Sequence, residues 1–231
     1  MPVSPCRFWW QNRAVTISSL NSFGSEKELR IGEKTLRYFD LTATALGDFG
    51  VSRLPFSIKI LLENLLRHED GVKVTAADIE AVARWAATPD RHGEAAGDDA
   101  REISFTPARV LMQDLTGVPA VVDLAAMRDA IIALGGDADK INPLVPVEMV
   151  IDHSVILERS GTPESYEENV AIEYERNRER YEFLKWAQNS LRNFRVVPPG
   201  MGICHQVNLE HLARVVFDDQ GFAYLLSLIH I

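Results

Sequence analysis

Three pairs of polar residues, each directly after an apolar run, are the positions in this sequence best suited to chemistry: Gln113–Asp114, Asp152–His153 and His205–Gln206. In open α/β sheets, ligands bind beyond the carboxyl ends of the strands, where such residues would lie. Three pairs of this kind favour a shared pocket. The alternative is that they cap the helices that follow the strands, as short polar side chains often do.

The pair Asp152–His153 has the residue types of a general acid. A carboxylate near an imidazole raises the pKa of the imidazole and favours the imidazolium form, which can donate a proton near neutral pH. Neighbours on a regular strand face opposite sides of the sheet, so the pair can cooperate only if the strand ends there. The alternative is that His153 packs beneath the next helix.

His205 has three interpretations that its neighbours leave open. It lies beside Cys204, and it could be a packed core histidine, a metal ligand together with Cys204, or a catalytic group. Adjacent side chains on a strand point to opposite faces, which does not favour a shared metal site. The sequence has no G-x-S-x-G elbow, phosphate loop, dinucleotide-binding fingerprint or H-x-x-x-H pair. It therefore does not favour the corresponding hydrolase, nucleotide-binding or zinc chemistries.

Composition restricts the class of protein and its partners. The 231 residues carry a formal net charge of -9, which opposes binding to nucleic acid or to an anionic membrane because like charges repel. No apolar run reaches the roughly 18 residues that cross a bilayer. The two cysteines, Cys6 and Cys204, are too few for a disulfide framework or a four-thiolate zinc or iron–sulfur site. We therefore expect a protein of a reducing compartment, the cytoplasm.

Patterns of apolar residues predict the elements that position these pairs. Alternation around Gly32–Glu33 predicts a β-hairpin, and helical spacing predicts a helix between Pro55 and Gly71. Thr75, with Asp78 three residues later, predicts the start of a second helix. The other predicted elements include strands before each polar pair, a strand-like piece at REISF before Pro107, and helices over 118–134, over 165–194 and after His205. Because strands alternate with helices, we predict a three-layer α/β/α fold with a mostly parallel sheet.

Five long phrases of the sequence resemble the N-terminal part of the aconitate hydratase family, most closely its bacterial cytoplasmic branch, which is similar to the iron regulatory proteins. They are SLNSFGSEKEL, LPFSIKILLENLLRHEDG, EISFTPARVLMQDLTGVPAVVDLAAMRDA, INPLVPVEMVIDHSV and ERNRERYEFLKWAQNSLRNFRVVPPGMGICHQVNLEHLA. The resemblance covers about residues 19–224 and implies the N-terminal α/β domain of that family. Phrases of this length make it highly specific.

The resemblance implies a hydro-lyase of the tricarboxylic acid cycle that interconverts citrate and isocitrate through cis-aconitate. It also implies a [4Fe-4S] cluster held by three cysteines, whose open iron acts as a Lewis acid on the substrate. Gln113 matches the family's contact with a substrate carboxylate, and Asp152 and His153 match the pair that protonates the departing hydroxyl. His205 matches a histidine that supports the cluster face and its water, and Cys204 beside it is not a ligand.

The resemblance also predicts where the chain departs from the family. We interpret residues 1–18 as a non-native or disordered extension, residues 19–224 as an incomplete family domain and residues 225–231 as a non-native tail. The cluster cysteines lie beyond this tail, so we expect the chain itself to bind no cluster and to be inactive. The full-length parent is expected to be a monomer that acts on citrate, isocitrate and cis-aconitate, without membrane or nucleic-acid partners.

Three alternatives to this function stay open at the level of sequence. The first is an RNA-binding regulator like the iron regulatory proteins, which the charge of -9 does not favour. The second is a hydratase that acts on 2-methylcitrate or 2-methylaconitate. The third is a free-standing domain that has no activity.

Overall fold

The chain separates into two compact units. A computed structural model describes residues 17–87, 102–152, 155–200, 215–219 and 221–230. The hairpin unit comprises Thr16–Arg109 and Glu210–Ile229, and the parallel-sheet unit comprises Met1–Val15, Val110–Leu209 and His230–Ile231. Each unit has a hydrophobic core of its own.

Strands and helices are numbered in their order along the chain. The strands are β1 (Glu26–Ile31), β2 (Lys34–Phe39), β3 (Arg109–Gln113), β4 (Val147–Val150), β5 (Phe194–Val197), β6 (Val216–Asp219), β7 (Phe222–Leu225) and β8 (Leu228–His230). The α-helices are α1 (Thr44–Gly47), α2 (Phe56–Arg67), α3 (Ala76–Ala83), α4 (Asp114–Ala133), α5 (Ser165–Arg176) and α6 (Arg178–Ser190). Short 3-10 helices span Val51–Arg53, Arg84–Ala87 and Ala138–Lys140.

The sheet of the hairpin unit has the strand order β1-β2-β7-β6. Strands β1 and β2 pair antiparallel from Glu26 opposite Phe39 to Ile31 opposite Lys34, so the predicted hairpin is confirmed. The chain reverses at Gly32, whose φ of +60° is a conformation that glycine adopts without steric cost. Strand β2 is parallel to β7, and β7 is antiparallel to β6. This sheet is therefore mixed, since two of its three strand pairs are antiparallel.

Helix α2 ends at Arg67, four residues before the predicted stop at Gly71. The reason is the Asp70 side chain, whose Oδ1 accepts the backbone N–H groups of Val72, Lys73 and Val74 at 2.7 to 3.0 Å and shapes a turn instead of another helical turn. Leu62, Leu65 and Leu66 of α2 and Ile79 of α3 are almost completely buried and form much of the core of this unit.

Helix α3 begins as its sequence predicts. Thr75 Oγ1 accepts the backbone N–H of Asp78, and Asp78 Oδ2 accepts the backbone N–H of Thr75 at 2.8 Å. This reciprocal arrangement satisfies two amide groups that would otherwise lack partners at a helix start.

A buried charged cluster lies between helix α2 and strand β7 within the hairpin unit. Arg67 and Glu63, one helical turn apart, are 3% and 5% exposed and are joined by a 2.9 Å hydrogen bond from Arg67 Nε to Glu63 Oε1. Arg67 Nη1 lies 2.9 Å from His68 Nε2, and the guanidinium carbon stands 4.3 Å from the centre of the Tyr224 ring. Burial raises the pKa of Tyr224 to about 12.

Strands β3, β4 and β5 of the parallel-sheet unit are parallel neighbours, with β4 in the centre. All four residues of β4, including Glu148, are buried, as the Val- and Ile-rich stretch in which they lie predicts. Val147, Met149 and Ile151 pack with Val121 of α4 and Leu184 of α6 in one core. The predicted α/β class with a parallel sheet is confirmed in this unit.

Helix α4 starts at Asp114, four residues earlier than predicted, and it contains Pro119. Pro119 is the sixth residue of the helix, beyond the first turn, so its missing N–H removes the usual helical donor to the carbonyl of Leu115. The helix ends as predicted at the glycine pair, where Gly135 has a φ of +77° and donates its N–H to the carbonyl of Ile132.

The predicted single helix over 165–194 is wrong, because the structure has two helices, α5 and α6, separated by Asn177. Asn177 has φ -112° and ψ 27°, outside helical values. Its side-chain amide donates to Glu173 Oε1 at 2.9 Å. The same amide also donates to the backbone carbonyl of Glu173 at 3.4 Å, the acceptor of the helical bond from the Asn177 N–H. Local side-chain bonds of this kind make asparagine a poor helix former, which is consistent with a break at this residue.

Candidate functional site

The carboxyl ends of three parallel strands are level with one another in the parallel-sheet unit. Gln113 of β3 pairs with Val150 of β4, and Val150 pairs with Val197 of β5. Ile151 still donates its backbone N–H to the carbonyl of Val197 at 3.0 Å. Residues that follow these positions therefore leave the sheet at one edge, which is where ligands bind in open α/β sheets.

Gln113 lies at this edge, half-buried, and its side chain caps helix α4. Its Oε1 accepts the backbone N–H groups of Leu115 at 3.0 Å and Thr116 at 3.3 Å. The Gln113 oxygen therefore acts as a helix cap, which is the alternative role suggested for this polar pair. The side-chain NH₂ group is the donor with which a glutamine can bind a carboxylate, and that role stays a prediction.

Asp152 lies two residues beyond the end of β4 and is 3% exposed. The strand has ended before the Asp152–His153 pair, which is the condition under which the two side chains can cooperate. The backbone N–H of Asp152 donates to Asp114 Oδ1 at 3.2 Å. Asp152 and the start of helix α4 are therefore joined directly, and Gln113 and Asp152 share this edge of the sheet.

Asp114 also pairs with Arg180 of helix α6 through its other carboxylate oxygen. Asp114 is 1% exposed, whereas a quarter of the Arg180 side chain remains accessible. Arg180 could not be identified from the sequence alone, because it lies 66 residues from Asp114 among the other charged residues of a helix. The only signal is its place on a helix that crosses over between β4 and β5.

The end of β5 is fixed by helix α5. The Tyr166 hydroxyl donates to the carbonyl of Gly200 at 2.6 Å, within the Pro-Pro-Gly turn that follows the strand. The chain then continues towards His205. His153, His205 and Cys204 lie outside the described residues, so their predicted convergence with Gln113 and Asp152 stays a prediction.

The described residues do not fit an iron–sulfur cluster. Both cysteines of the chain, Cys6 and Cys204, lie outside the described ranges, and a cluster of this kind needs cysteine thiolates. Within those same ranges, no group of three or more histidine, cysteine, aspartate or glutamate side chains is arranged to hold a metal ion. None of the helices in this part of the chain combines the length and the apolar character that a bilayer crossing requires.

Comparison with known proteins identifies the family. The model of the aconitase family (aconitate hydratase) matches residues 79–228. The chain belongs to the aconitase family. Aconitate hydratase A of Corynebacterium efficiens is 58% identical over 206 residues, which cover 89% of this chain and 21% of that relative. The corresponding protein of Bradyrhizobium diazoefficiens is 57% identical over 202 residues, covering 87% and 21%, and that of Escherichia coli K12 is 54% identical over 219 residues, covering 92% and 24%.

The chain spans about a fifth to a quarter of the length of these curated relatives. The family match includes α4, α6 and the three parallel strands, which are the elements that build the candidate site. Membership of the aconitase family therefore applies directly to the part of the chain in which Gln113 and Asp152 lie.

Proposed function

We propose that this chain provides part of the active site of an aconitate hydratase, which converts citrate into isocitrate through cis-aconitate. The observation that carries the proposal is the common edge at which Gln113 and Asp152 lie, with His153 next in the chain. The names of the relatives favour this hydratase over an RNA-binding regulator.

The residues at this edge have the chemistry that one of the two proton transfers of the dehydration step needs, and we assign the base that accepts the carbon-bound proton to a part of the parent protein outside these 231 residues. When citrate loses water, the departing hydroxyl must receive a proton, and a proton must leave the neighbouring carbon. We assign the first transfer to His153 as general acid, with the buried Asp152 carboxylate favouring the imidazolium form. Gln113 would bind a substrate carboxylate through its side-chain NH₂ group, and His205 would hold the water that leaves and returns.

The iron–sulfur cluster that the family implies has no ligand among the described residues, and none of the steps assigned to these residues passes through it. We propose that its cysteines belong to a part of the parent protein outside these 231 residues, and that the parent is a cytoplasmic monomer. The residues assigned above act on the substrate as a proton donor and as hydrogen-bonding groups.

The proposal is tested by placing the matched region of this chain in Escherichia coli aconitate hydratase A in place of the corresponding region. We expect this chimera to form cis-aconitate from citrate, measured by ultraviolet absorbance. His153→Ala or His205→Ala should lower kcat by about 10²- to 10⁴-fold, the usual contribution of acid–base catalysis. Arg176→Ala removes an exposed ion pair with Glu158 and serves as the matched control, with unchanged kcat.

A folded chimera that carries its cluster but does not dehydrate citrate would contradict the proposal. Comparing citrate with 2-methylcitrate in the same assay separates the proposed activity from the alternative hydratase. Faster turnover of 2-methylcitrate would assign the chain to that alternative.

A further inference from the structure

We propose that Asp114, held by Arg180, is a positioning residue that fixes the backbone of Asp152, the residue directly before His153 in the sequence, at the edge of the sheet. The inference rests on the proposed function, which gives residues 152 and 153 the acid–base work. It adds two residues, from a different strand end and a different helix, to those assigned above.

The Asp114 carboxylate has one partner for each oxygen. Oδ1 accepts the backbone N–H of Asp152 at 3.2 Å, and Oδ2 pairs with the guanidinium of Arg180. Asp114 is 1% exposed, so its charge is almost fully removed from water. A buried carboxylate is stable only when a cation and hydrogen-bond donors compensate it. The arrangement therefore depends on both partners being in place.

Capping of helix α4 does not account for this carboxylate. The amide groups at the helix start are capped by the Gln113 side chain, which accepts from Leu115 and Thr116. The Asp114 side chain is directed instead to the chain that leaves β4, 38 residues further along the sequence. A negatively charged side chain in the first helical turn is also favourable for the helix, because of the helix dipole.

The Asp152–Asp114 hydrogen bond lies where the chain leaves strand β4, so it fixes the backbone at that point. Ile151 is still held by the sheet, through its bond to Val197. One residue later, the backbone N–H is held by the Asp114 carboxylate. The backbone is therefore held by a sheet hydrogen bond at Ile151 and by a side-chain carboxylate at Asp152, the first residue of the proposed acid pair. Since a misplacement of about 1 Å can cost about 10²-fold in rate, this bond governs whether the pair reaches the substrate.

The first test uses the 231-residue chain and follows the Asp152 amide by NMR. Asp114→Ala should make this amide exchange with solvent at least about tenfold faster and shift its proton resonance upfield, because the bond to a charged acceptor is lost. Asp114→Asn keeps an oxygen acceptor and should restore part of both effects. Arg176→Ala is the matched control and should change neither, and core amides of β4 should keep their protection in all three variants.

The second test measures kinetics in the chimera described above. Asp114→Ala should lower kcat by about 10²-fold with little change in KM, and Asp114→Asn should recover part of it. A purely structural role would reduce the amount of folded enzyme without changing kcat per folded molecule. An Asp152 amide that is unaffected by Asp114→Ala, or an active chimera whose kcat is unaffected, would overturn the inference.

The two proposals fail in different ways. If the unsubstituted chimera is inactive while the Asp152 amide responds to Asp114→Ala, the positioning contact stands and the proposed function fails. If the chimera is active and neither readout responds, the function stands and the positioning role is wrong.

Discussion

His68 is held neutral by its position next to a buried arginine. Arginine can only donate hydrogen bonds, so the 2.9 Å contact from Arg67 Nη1 makes His68 Nε2 an acceptor and leaves the ring proton on Nδ1. Burial, and then the charge of Arg67, lower the pKa of His68 to about 4 against the opposing effect of Asp70. In an unfolded chain the same imidazole has a pKa of about 6.5. Between about pH 4 and about pH 6.5, His68 is therefore neutral in the folded hairpin unit but protonated in the unfolded chain.

The stability of the hairpin unit should consequently fall as the pH drops from about 6.5 towards about 4, because the unfolded state takes up the proton first. Between about pH 7 and about pH 5, we expect His68 alone to remove about 2 kcal/mol from the free energy of unfolding. His68→Gln keeps an oxygen acceptor for Arg67 but does not titrate, so its loss over this range should be smaller by that amount. Urea unfolding followed through the amide signals of helix α2 measures the difference. Parallel pH profiles for the two proteins would contradict this explanation.

At the scale of elements, the ends of helix α4 are set by different means. Gln113 caps its start, and Gly135 ends it with a φ of +77°. A Cβ atom added at Gly135 would meet no other atom within 4 Å, so a substitution there acts through backbone conformation alone. Gly47, the last residue of α1, also has open space around it, but its φ is not positive.

We expect Gly135→Ala to lower the free energy of unfolding of the parallel-sheet unit by about 1 kcal/mol, because alanine resists a positive φ. Gly47→Ala is the matched control, and it should leave stability unchanged or raise it by up to about 1 kcal/mol. Thermal unfolding of the two variants tests the pair. Equal effects of the two substitutions would show that the conformation of Gly135 does not determine the outcome.

Elements that depend on neighbouring residues were predictable from the sequence. The hairpin at Gly32 and the capping box of Thr75 and Asp78 depend on residues a few positions apart, and both form as predicted. The break at Asn177 was not predictable from apolar spacing, because that spacing continues through it. The break falls at an asparagine whose side-chain amide bonds locally to both the side chain and the backbone carbonyl of Glu173.

The same distinction applies to the candidate site. The apolar runs before Gln113 and Asp152 predict strand ends, and the parallel order of the strands brings those ends to one edge. The contact between Asp114 and Arg180 spans 66 residues and depends on how helix α6 packs on the sheet. Helix α6 carries many charged residues, and nothing in their spacing distinguishes the one that turns inward.

At the scale of the whole molecule, the two units have separate cores that share no residue. Leu62 of α2 is fully buried in the core of the hairpin unit, and Leu184 of α6 is 1% exposed in the core of the parallel-sheet unit. Each core is a cluster of close-packed side chains, so a cavity in one of them acts first on the unit that contains it.

We expect Leu184→Ala to lower the stability of the parallel-sheet unit by about 2–5 kcal/mol, the usual cost of such a truncation in a core. Hydrogen exchange at the β4 amides should become faster, whereas the α2 amides should keep their protection. Leu62→Ala should have the converse effect, and each variant is the control for the other. Loss of protection throughout the chain in both variants would show that the units unfold together.

Because strands β3, β4 and β5 end at the same edge of the sheet, deletions and substitutions in β4 have different effects on the candidate site. Val147, Met149 and Ile151 face the core, and the residues between them face the other side of the sheet. Deleting one residue of β4 would move Asp152 into the place of Ile151, towards that core. Deleting two would keep its side but draw it back by about 7 Å along the strand. Exchanges among aliphatic residues at these positions cost little in comparison. Relatives that keep this chemistry are therefore expected to exchange one aliphatic residue for another at these core positions, and to gain or lose residues only in the loops outside β4.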